Sequence, residues 1–191
     1  MILKRLRRET SELHLELERQ LALTDVHLSR DAYVGILARF YGYYQPLETQ
    51  LSTLASLSEI GFEFSERQKV PHLEMDLRVL GRALELPSMP RCAALPPLDS
   101  IPRTLGCLYV VEGATLGGTV ISRHLAANLG ITPRTGGAFF AGYESETGAK
   151  WQAFQVIIRT ATDKFGGADE IVASANRTFA AMGAWLPPSC R

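Results

Sequence analysis

Apolar residues recur at intervals of three and four along most of this chain, which is the spacing of amphipathic helices. The spacing predicts helices over residues 2–21, 29–57, 65–84, 100–129 and 146–165, and a last helix that follows Gly167 and reaches about Leu186. Pro46 lies inside the second helix and is expected to bend or break it. No segment alternates as a strand would, so the pattern predicts an all-α fold, a single compact helical bundle.

Prolines and glycines mark the connections between these helices. Five prolines occur between residues 87 and 102, which predicts an extended connector. The helix over 100–129 begins at Asp99-Ser100-Ile101-Pro102 and ends at Gly130, and residues 130–142 are expected to form a loop. Pro187-Pro188 ends the last helix and leaves a short tail over 187–191.

Composition narrows the possible classes of protein. The 191 residues are expected to form one domain over 1–191, and 20 basic and 20 acidic side chains cancel. Because like charges do not cluster, the sequence predicts neither nucleic acid nor a membrane surface as a partner. There is no apolar run as long as a membrane span, no apolar region of a secretory signal and no CxxC among the three cysteines. These features predict a cytoplasmic protein.

Three glycines inside one predicted helix are the most informative feature. Gly113, Gly117 and Gly118 lie within six residues, although an interior glycine costs about 0.5–1 kcal/mol relative to alanine. Gly113 and Gly117 share a face, so a flat molecule could approach the helix backbone there, or the helix could kink. Tight packing against another helix would use the same spacing, and the pattern alone leaves both interpretations open. Glu112 precedes this face as a carboxylate without a partner in the sequence.

His14 is the histidine best placed to bind a ligand. It borders the apolar stripe of the first helix, where an imidazole can be a core residue, a surface residue or an axial metal ligand. The chain has no HxxxH, ExxH or HExxH spacing, so a zinc or di-iron site is not indicated. A histidine on the first helix and a glycine-faced helix later in the chain suggest a planar macrocycle held between them, with iron bound to the histidine.

Two sequence segments carry a resemblance to a known family. Leu6-Arg7-Arg8-Glu9-Thr10-Ser11-Glu12-Leu13-His14, followed by Glu18, resembles the proximal-helix pattern of the heme oxygenases. The segment from Leu108-Tyr109-Val110-Val111-Glu112-Gly113 through Leu116-Gly117-Gly118-Thr119-Val120-Ile121 resembles their distal-helix pattern. With the aromatic run Phe40–Tyr44, the likeness covers nearly the whole chain and is greatest to the bacterial branch that supplies biliverdin to phytochromes.

The resemblance implies an all-α bundle with heme between the proximal and distal helices. His14 would ligate the iron, and Gly113 and Gly117 would be the catalytic distal glycines that leave room for dioxygen. The implied heme-binding residues are Arg7, Thr10, His14, Tyr109, Gly113, Gly117, Gly118 and Lys150, with Arg159 a further candidate for a propionate. Many family members have an aspartate after the first distal glycine, but this chain has Ala114 there.

The activity that the resemblance implies is cleavage of heme, both substrate and cofactor, to biliverdin, carbon monoxide and iron. Such a reaction requires dioxygen and an external electron donor, either a ferredoxin or flavin reductase, or ascorbate in vitro. The bilin would supply a bacteriophytochrome, or the reaction would serve to release iron.

Two other interpretations remain at this stage. A protein with the same heme-binding geometry could bind or transfer heme without cleaving it. A helical bundle without heme, such as a thiaminase-like enzyme or an interaction module, could use the glycines for packing alone. Binding of hemin, and its conversion to a bilin, distinguish the three.

Overall fold

The computed structural model describes residues 1–186, which form nine α-helices and no β-strand within that range. The predicted all-α fold is therefore confirmed, whereas the expected helix end at Pro187-Pro188 and Cys190 lie outside the described residues. The helices are α1 (Ile2–Glu9), α2 (Ser11–Leu21), α3 (Arg30–Leu51), α4 (Ser56–Glu59), α5 (Val70–Val79), α6 (Ile101–Leu129), α7 (Ala138–Ala141), α8 (Thr147–Phe165) and α9 (Ala168–Trp185). Short 3₁₀ turns occupy Phe64–Arg67, Ala83–Ser88 and Glu144–Glu146, and a π turn occupies Pro133–Gly137.

The long helix α6 is the centre of the fold and packs most extensively on α9. Its predicted ends are confirmed: Ser100 caps its first turn by accepting a hydrogen bond from the Arg103 backbone, and Gly130 ends it at φ +64°. Gly106 allows the close approach of α9, since a Cβ there would lie 2.3 Å from the carbonyl oxygen of Ile171. By length and apolar character α6 could span a membrane, but 56% of that stretch is buried inside the fold. It is the core helix of the bundle.

The first predicted helix is two helices, because the chain breaks at Thr10. The Thr10 backbone has φ −111° and ψ −3°, outside the helical range, and separates α1 from α2. Its hydroxyl donates to the carbonyl oxygen of Leu6 at 2.8 Å, a local bond that competes with a regular helix. The prediction of one continuous helix over 2–21 is therefore wrong, although α1 and α2 both pack on α9.

Pro46 does not break α3, which continues past it to Leu51, so of the expected bend or break the break is absent. A proline in a helix leaves the carbonyl four residues earlier without a donor, and here that carbonyl belongs to Gly42. The backbone N–H of Cys92 donates to Gly42 at 2.9 Å, so the proline-rich connector supplies the missing hydrogen bond. A Cβ at Gly42 would lie 2.4 Å from the carbonyl oxygen of Pro90, and only glycine lets the connector pass so closely.

Other boundaries also differ from the prediction, and a distant carboxylate sets one of them. The third predicted helix begins at Val70 and not at Ser65, since the Glu48 carboxylate accepts the backbone N–H groups of Lys69 and Val70, at 2.6 and 3.2 Å. It ends at Val79, before Gly81 at φ +85°, and not near Leu84. The predicted loop over 130–142 contains the π turn and α7.

Candidate functional site

Helices α2 and α6 are joined at two points, one near each end of α2. At the start of α2 the Thr10 side chain lies close enough to the Tyr109 hydroxyl to influence its pKa. Beyond the end of α2, Nε2 of His124 lies 3.2 Å from the carbonyl oxygen of Asp25. The two contacts follow the same order along segment 10–25 and along α6, so the two segments run in the same direction. We call the space between them the α2–α6 cleft.

One face of α6 in this cleft lacks side chains at two positions, Gly113 and Gly117. A Cβ built on Gly117 would have no atom within 4 Å beyond its own helix and chain neighbours, and one on Gly113 would meet only the Trp151 ring, at 3.7 Å. Leu116 and Val120 continue the same face and are 39% and 54% exposed. We call Gly113, Leu116, Gly117 and Val120 the open strip. It is flat and apolar, and α6 passes through it without a break.

Gly118 has a different function from its neighbour. A Cβ at this position would lie 2.7 Å from the carbonyl oxygen of Phe140, because α7 packs directly on the α6 backbone there. Gly118 is buried, whereas Gly117 is exposed. Packing therefore accounts for Gly118, whereas Gly117 has the open space that the approach of a flat molecule would require. The structure does not bring Gly118 to the open strip.

His14 projects from α2 with its side chain 52% exposed. Its Nε2 lies 3.3 Å from a carboxylate oxygen of Glu18, and its ring packs on that of Phe179, with 5.5 Å between the centroids. His14 is four residues after Thr10, just as Gly113 is four residues after Tyr109. Because Thr10 and Tyr109 are in contact, the imidazole and the first glycine both lie one helical turn beyond the same contact.

Arg7, Thr10 and Tyr109 come together at this end of the cleft. Burial raises the pKa of Tyr109, and the hydrogen bond from Thr10 and the positive charge of Arg7 partly oppose that increase. Arg7 is exposed, so its guanidinium remains available to an anion. The Tyr109 ring lies 5.8 Å from that of Trp151, which lines the cleft next to Gly113.

Two of the predicted basic residues lie elsewhere in the described structure. The ammonium of Lys150 lies 3.3 Å from Glu66 and 5.3 Å from the centroid of the Tyr143 ring. Arg159 is exposed on α8 and donates to the side chain of Gln155 at 3.4 Å. The structure records no contact of either residue with Arg7, Thr10 or Tyr109.

A buried ionic cluster lies beside the open strip, and nothing in the sequence indicated it. The Glu112 side chain is 1% exposed and accepts hydrogen bonds from Arg67 Nη1 at 2.6 Å, from Lys69 Nζ and from the Tyr143 hydroxyl at 2.8 Å. Burial lowers the pKa of Lys69, and the charge of Glu112 partly opposes that decrease. The partners come from a 3₁₀ turn, from the residue before α5 and from the segment before α8, so no local motif could have indicated them.

Helix α2 carries the His14 imidazole, α6 carries the open backbone, and Arg7 adds a guanidinium near Tyr109. Such a site can hold a flat, largely apolar molecule that carries a carboxylate and a metal with an open coordination position. The nitrogen of His14 that Glu18 does not contact could bind that metal, since metal-binding histidines typically hydrogen-bond a carboxylate through the other nitrogen.

Comparison with known proteins gives a consistent result. The sequence model of the family described as heme oxygenase matches residues 1–187. A heme oxygenase from Xanthomonas campestris is 32% identical over 163 residues, covering 83% of this chain and 91% of that protein.

Solved structures show the same fold. The NO- and CO-bound heme oxygenase of Neisseria meningitidis has a TM-score of 0.81 at 20% identity, covering 97% of this chain and 90% of that one. The heme oxygenase of Leptospira interrogans has a TM-score of 0.76 at 17% identity, with coverages of 97% and 98%. Heme oxygenase-1 of the cyanobacterium Synechocystis, in complex with heme, has a TM-score of 0.74 at 18% identity, with coverages of 97% and 90%.

Proposed function

This chain belongs to the heme oxygenase family, and we propose that it cleaves heme in the α2–α6 cleft. It is a heme-degrading oxidoreductase, and the family membership supports heme binding. The reaction that we propose consumes dioxygen and electrons and yields biliverdin, carbon monoxide and iron. Bound heme supplies the iron at which oxygen is reduced, and the porphyrin is itself the substrate. The protein binds the ring, orients it and limits what approaches it.

The observation that carries this proposal is the pairing of His14 with the open strip. His14 is exposed, and one of its nitrogens lies 3.3 Å from Glu18, which leaves the other available to a metal. The backbone at Gly117 has free space where any other residue would place a side chain. We propose that a porphyrin ring lies between these two groups, with space for dioxygen beside Gly113 and Gly117. We therefore assign His14 as iron ligand and these glycines as the distal surface.

Arg7 is the residue that we propose binds a heme propionate. Arg7 is exposed, and its positive charge partly opposes the rise in the Tyr109 pKa. It therefore lies at the end of the cleft where Thr10 and Tyr109 meet. An arginine holds a carboxylate through charge-assisted hydrogen bonds, which fixes the in-plane orientation of the ring. That orientation decides which bridging (meso) carbon faces the oxygen. The proposed roles of Lys150 and Arg159 in binding a propionate are supported less well, since their observed partners lie elsewhere.

Proton delivery in this chain cannot use a side chain at position 114. Ala114 is exposed beside Gly113, at the position where many family members have an aspartate. We propose that water admitted along the open strip, held by backbone groups of α6, supplies the protons. Glu112, the nearest carboxylate in sequence, lies on the flank of the strip, four residues before Leu116, and is fully paired.

The partners that we propose follow from the electrons that the reaction consumes and from its products. An external donor, a ferredoxin or a flavin reductase, would deliver the electrons, and ascorbate could replace it in vitro. The product would serve a bacteriophytochrome as chromophore, or the released iron would be the useful product. A cytoplasmic location suits both uses.

The test is reconstitution with hemin followed by reduction in air. We expect a saturable Soret band that gives way to bilin absorbance when ascorbate or a ferredoxin system is added. A Soret band that persists through this treatment would identify a heme carrier. If hemin produces no specific band, the cleft does not bind heme.

A further inference from the structure

The middle of α6 is attached to the fold differently from its ends. Among residues 1–186, the fully buried large apolar side chains of α6 stop at Val111 and resume at Leu125, and between them only Ile121 packs partly against the core. Between them the buried positions are Glu112, Thr115 and Gly118, none of which has a large apolar side chain. Burial of apolar groups is the usual force that fixes a helix in a core. The segment that carries the open strip largely lacks it.

Ionic hydrogen bonds replace that force at the start of the segment. Glu112 is bound by Arg67, Lys69 and Tyr143 on the flank of α6 beside the open strip. Arg67 also donates to the carbonyl oxygen of Lys150 at 3.2 Å, at the start of α8. The Lys69 backbone donates to Glu48 of α3 at 2.6 Å. Through these bonds Glu112 connects α6 to both α3 and α8.

A second attachment holds the end of the segment. The carbonyl oxygen of Phe140 packs against Gly118 so closely that a Cβ would lie 2.7 Å away. The position of α7 depends in turn on Asp76, which is fully buried and accepts the backbone N–H groups of Ala138 at 2.9 Å and Phe139 at 2.8 Å. Asp76 thereby fixes the turn that contacts α6 at Gly118.

We propose that the Glu112 cluster and Asp76 are positioning residues that set the height and tilt of the open strip over the substrate ring. The inference rests on the proposed function for the identity of that ring. Glycines make a helix easy to deform, so Gly113 and Gly117 provide space but no rigidity. The two attachments, at 112 and 118, bracket these glycines along the helix and supply the rigidity. They act through the α6 backbone, and the structure records no contact of Glu112, Lys69 or Asp76 with Arg7, Thr10 or His14.

The first test measures backbone amide hydrogen exchange in the heme-free protein. Lys69→Met removes one donor to Glu112 and leaves Arg67 paired with it, while Tyr143→Phe removes one hydroxyl and keeps every charge. The matched control is Arg103→Met, which removes the partner of Glu170 (2.7 Å) at the first turn of the same helix. Losing a hydrogen bond to a charged group should speed exchange of residues 113–119 about tenfold in Lys69→Met, and less in Tyr143→Phe. Arg103→Met should leave these amides unchanged.

The second test follows the products of hemin turnover. If the attachments set the tilt of the strip, Lys69→Met and Tyr143→Phe change the ratio of biliverdin isomers, while hemin affinity changes by less than about twofold. Arg103→Met leaves the ratio unchanged. Exchange that rises evenly along the whole chain, or not at all at 113–119, would overturn the inference. A wild-type protein that forms no bilin refutes the proposed function instead, because the exchange result does not depend on heme.

Discussion

The side chains of Thr10 and Tyr109 meet as polar neighbours between the start of α2 and the middle of α6. This contact fixes the register of the two walls of the cleft. One helical turn further along each wall lie His14 and Gly113, the residues that we assign to the iron and to the distal surface. The contact therefore determines which part of the glycine face lies opposite the imidazole.

Removal of the Tyr109 hydroxyl should loosen the cleft without unfolding the protein. We expect Tyr109→Phe to lower the free energy of unfolding by about 1 kcal/mol, the net contribution of one hydrogen bond. Hemin affinity should fall as well, because the two walls are no longer held in register. Urea denaturation and hemin titration measure the two effects.

The matched control for this change is Tyr41→Phe. The Tyr41 hydroxyl donates to Glu74 at 3.2 Å, in a contact between α3 and α5 that does not involve the cleft. Its loss should lower stability to a similar extent and leave hemin affinity unchanged. Equal losses of affinity in both variants would show that Tyr109 acts on stability alone.

Replacement of His14 should remove the proposed iron ligand and leave the stability of the protein nearly unchanged. The side chain is 52% exposed, so His14→Ala should change the free energy of unfolding by less than about 0.5 kcal/mol. Hemin affinity should fall by about tenfold or more, and the Soret band should shift, because a bond to iron is lost. Added imidazole should restore the band. His27→Ala, in an exposed turn, is the control and should bind hemin as the wild type does.

The adjacent glycines Gly117 and Gly118 should respond to alanine in opposite directions. Gly117→Ala places a methyl group in open space and should stabilise the heme-free protein by about 0.5–1 kcal/mol. It should also slow bilin formation by about tenfold or more, because the methyl group displaces the ring from the helix. Gly118→Ala should cost about 1–3 kcal/mol, since its Cβ would overlap the Phe140 carbonyl oxygen. Thermal unfolding of the two variants compares them directly, and a stabilised Gly118→Ala would contradict the packing that we describe.

Asp76 should make stability fall as pH rises above the range of an ordinary aspartate. Burial raises the pKa of Asp76, and the two backbone hydrogen bonds only partly oppose this increase. A group whose pKa is higher in the folded state contributes stability that is present at low pH and is lost as pH rises through that pKa. The free energy of unfolding of Asp76→Asn, measured by urea between about pH 4 and pH 7, should therefore decline less than that of the wild type. A steeper decline in the variant would show that the sign is wrong.

Local patterns predicted the helices that are fixed by their own residues. Both ends of α6 follow from Ser100 and Gly130, which cap the helix with groups next to it in sequence. Boundaries set from a distance were predicted wrongly. Glu48 accepts the backbone N–H groups at the start of α5 and so sets where that helix begins. The backbone N–H of Cys92 donates to the Gly42 carbonyl, which Pro46 leaves without a donor. Neither contact has a local signal, because the residues that make it are far apart along the chain.

The residues of the candidate site likewise include some that the sequence could indicate and others that only the fold brings together. His14, Gly113 and Gly117 could be selected from the sequence because their chemistry depends on residue type and on spacing within one helix. Spacing could not separate Gly117, which faces open space, from Gly118, which faces Phe140, since that difference depends on where α7 lies. Glu112 had no partner in the sequence because its partners are brought to it only by the fold.

The exposure of Leu116 and Val120 has a consequence for handling the protein. The heme-free chain exposes these apolar side chains to water, and two copies could bury them against each other. Hemin bound as we propose would cover the same surface. We expect the heme-free protein to self-associate at high concentration, and stoichiometric hemin to keep it monomeric and raise its melting temperature.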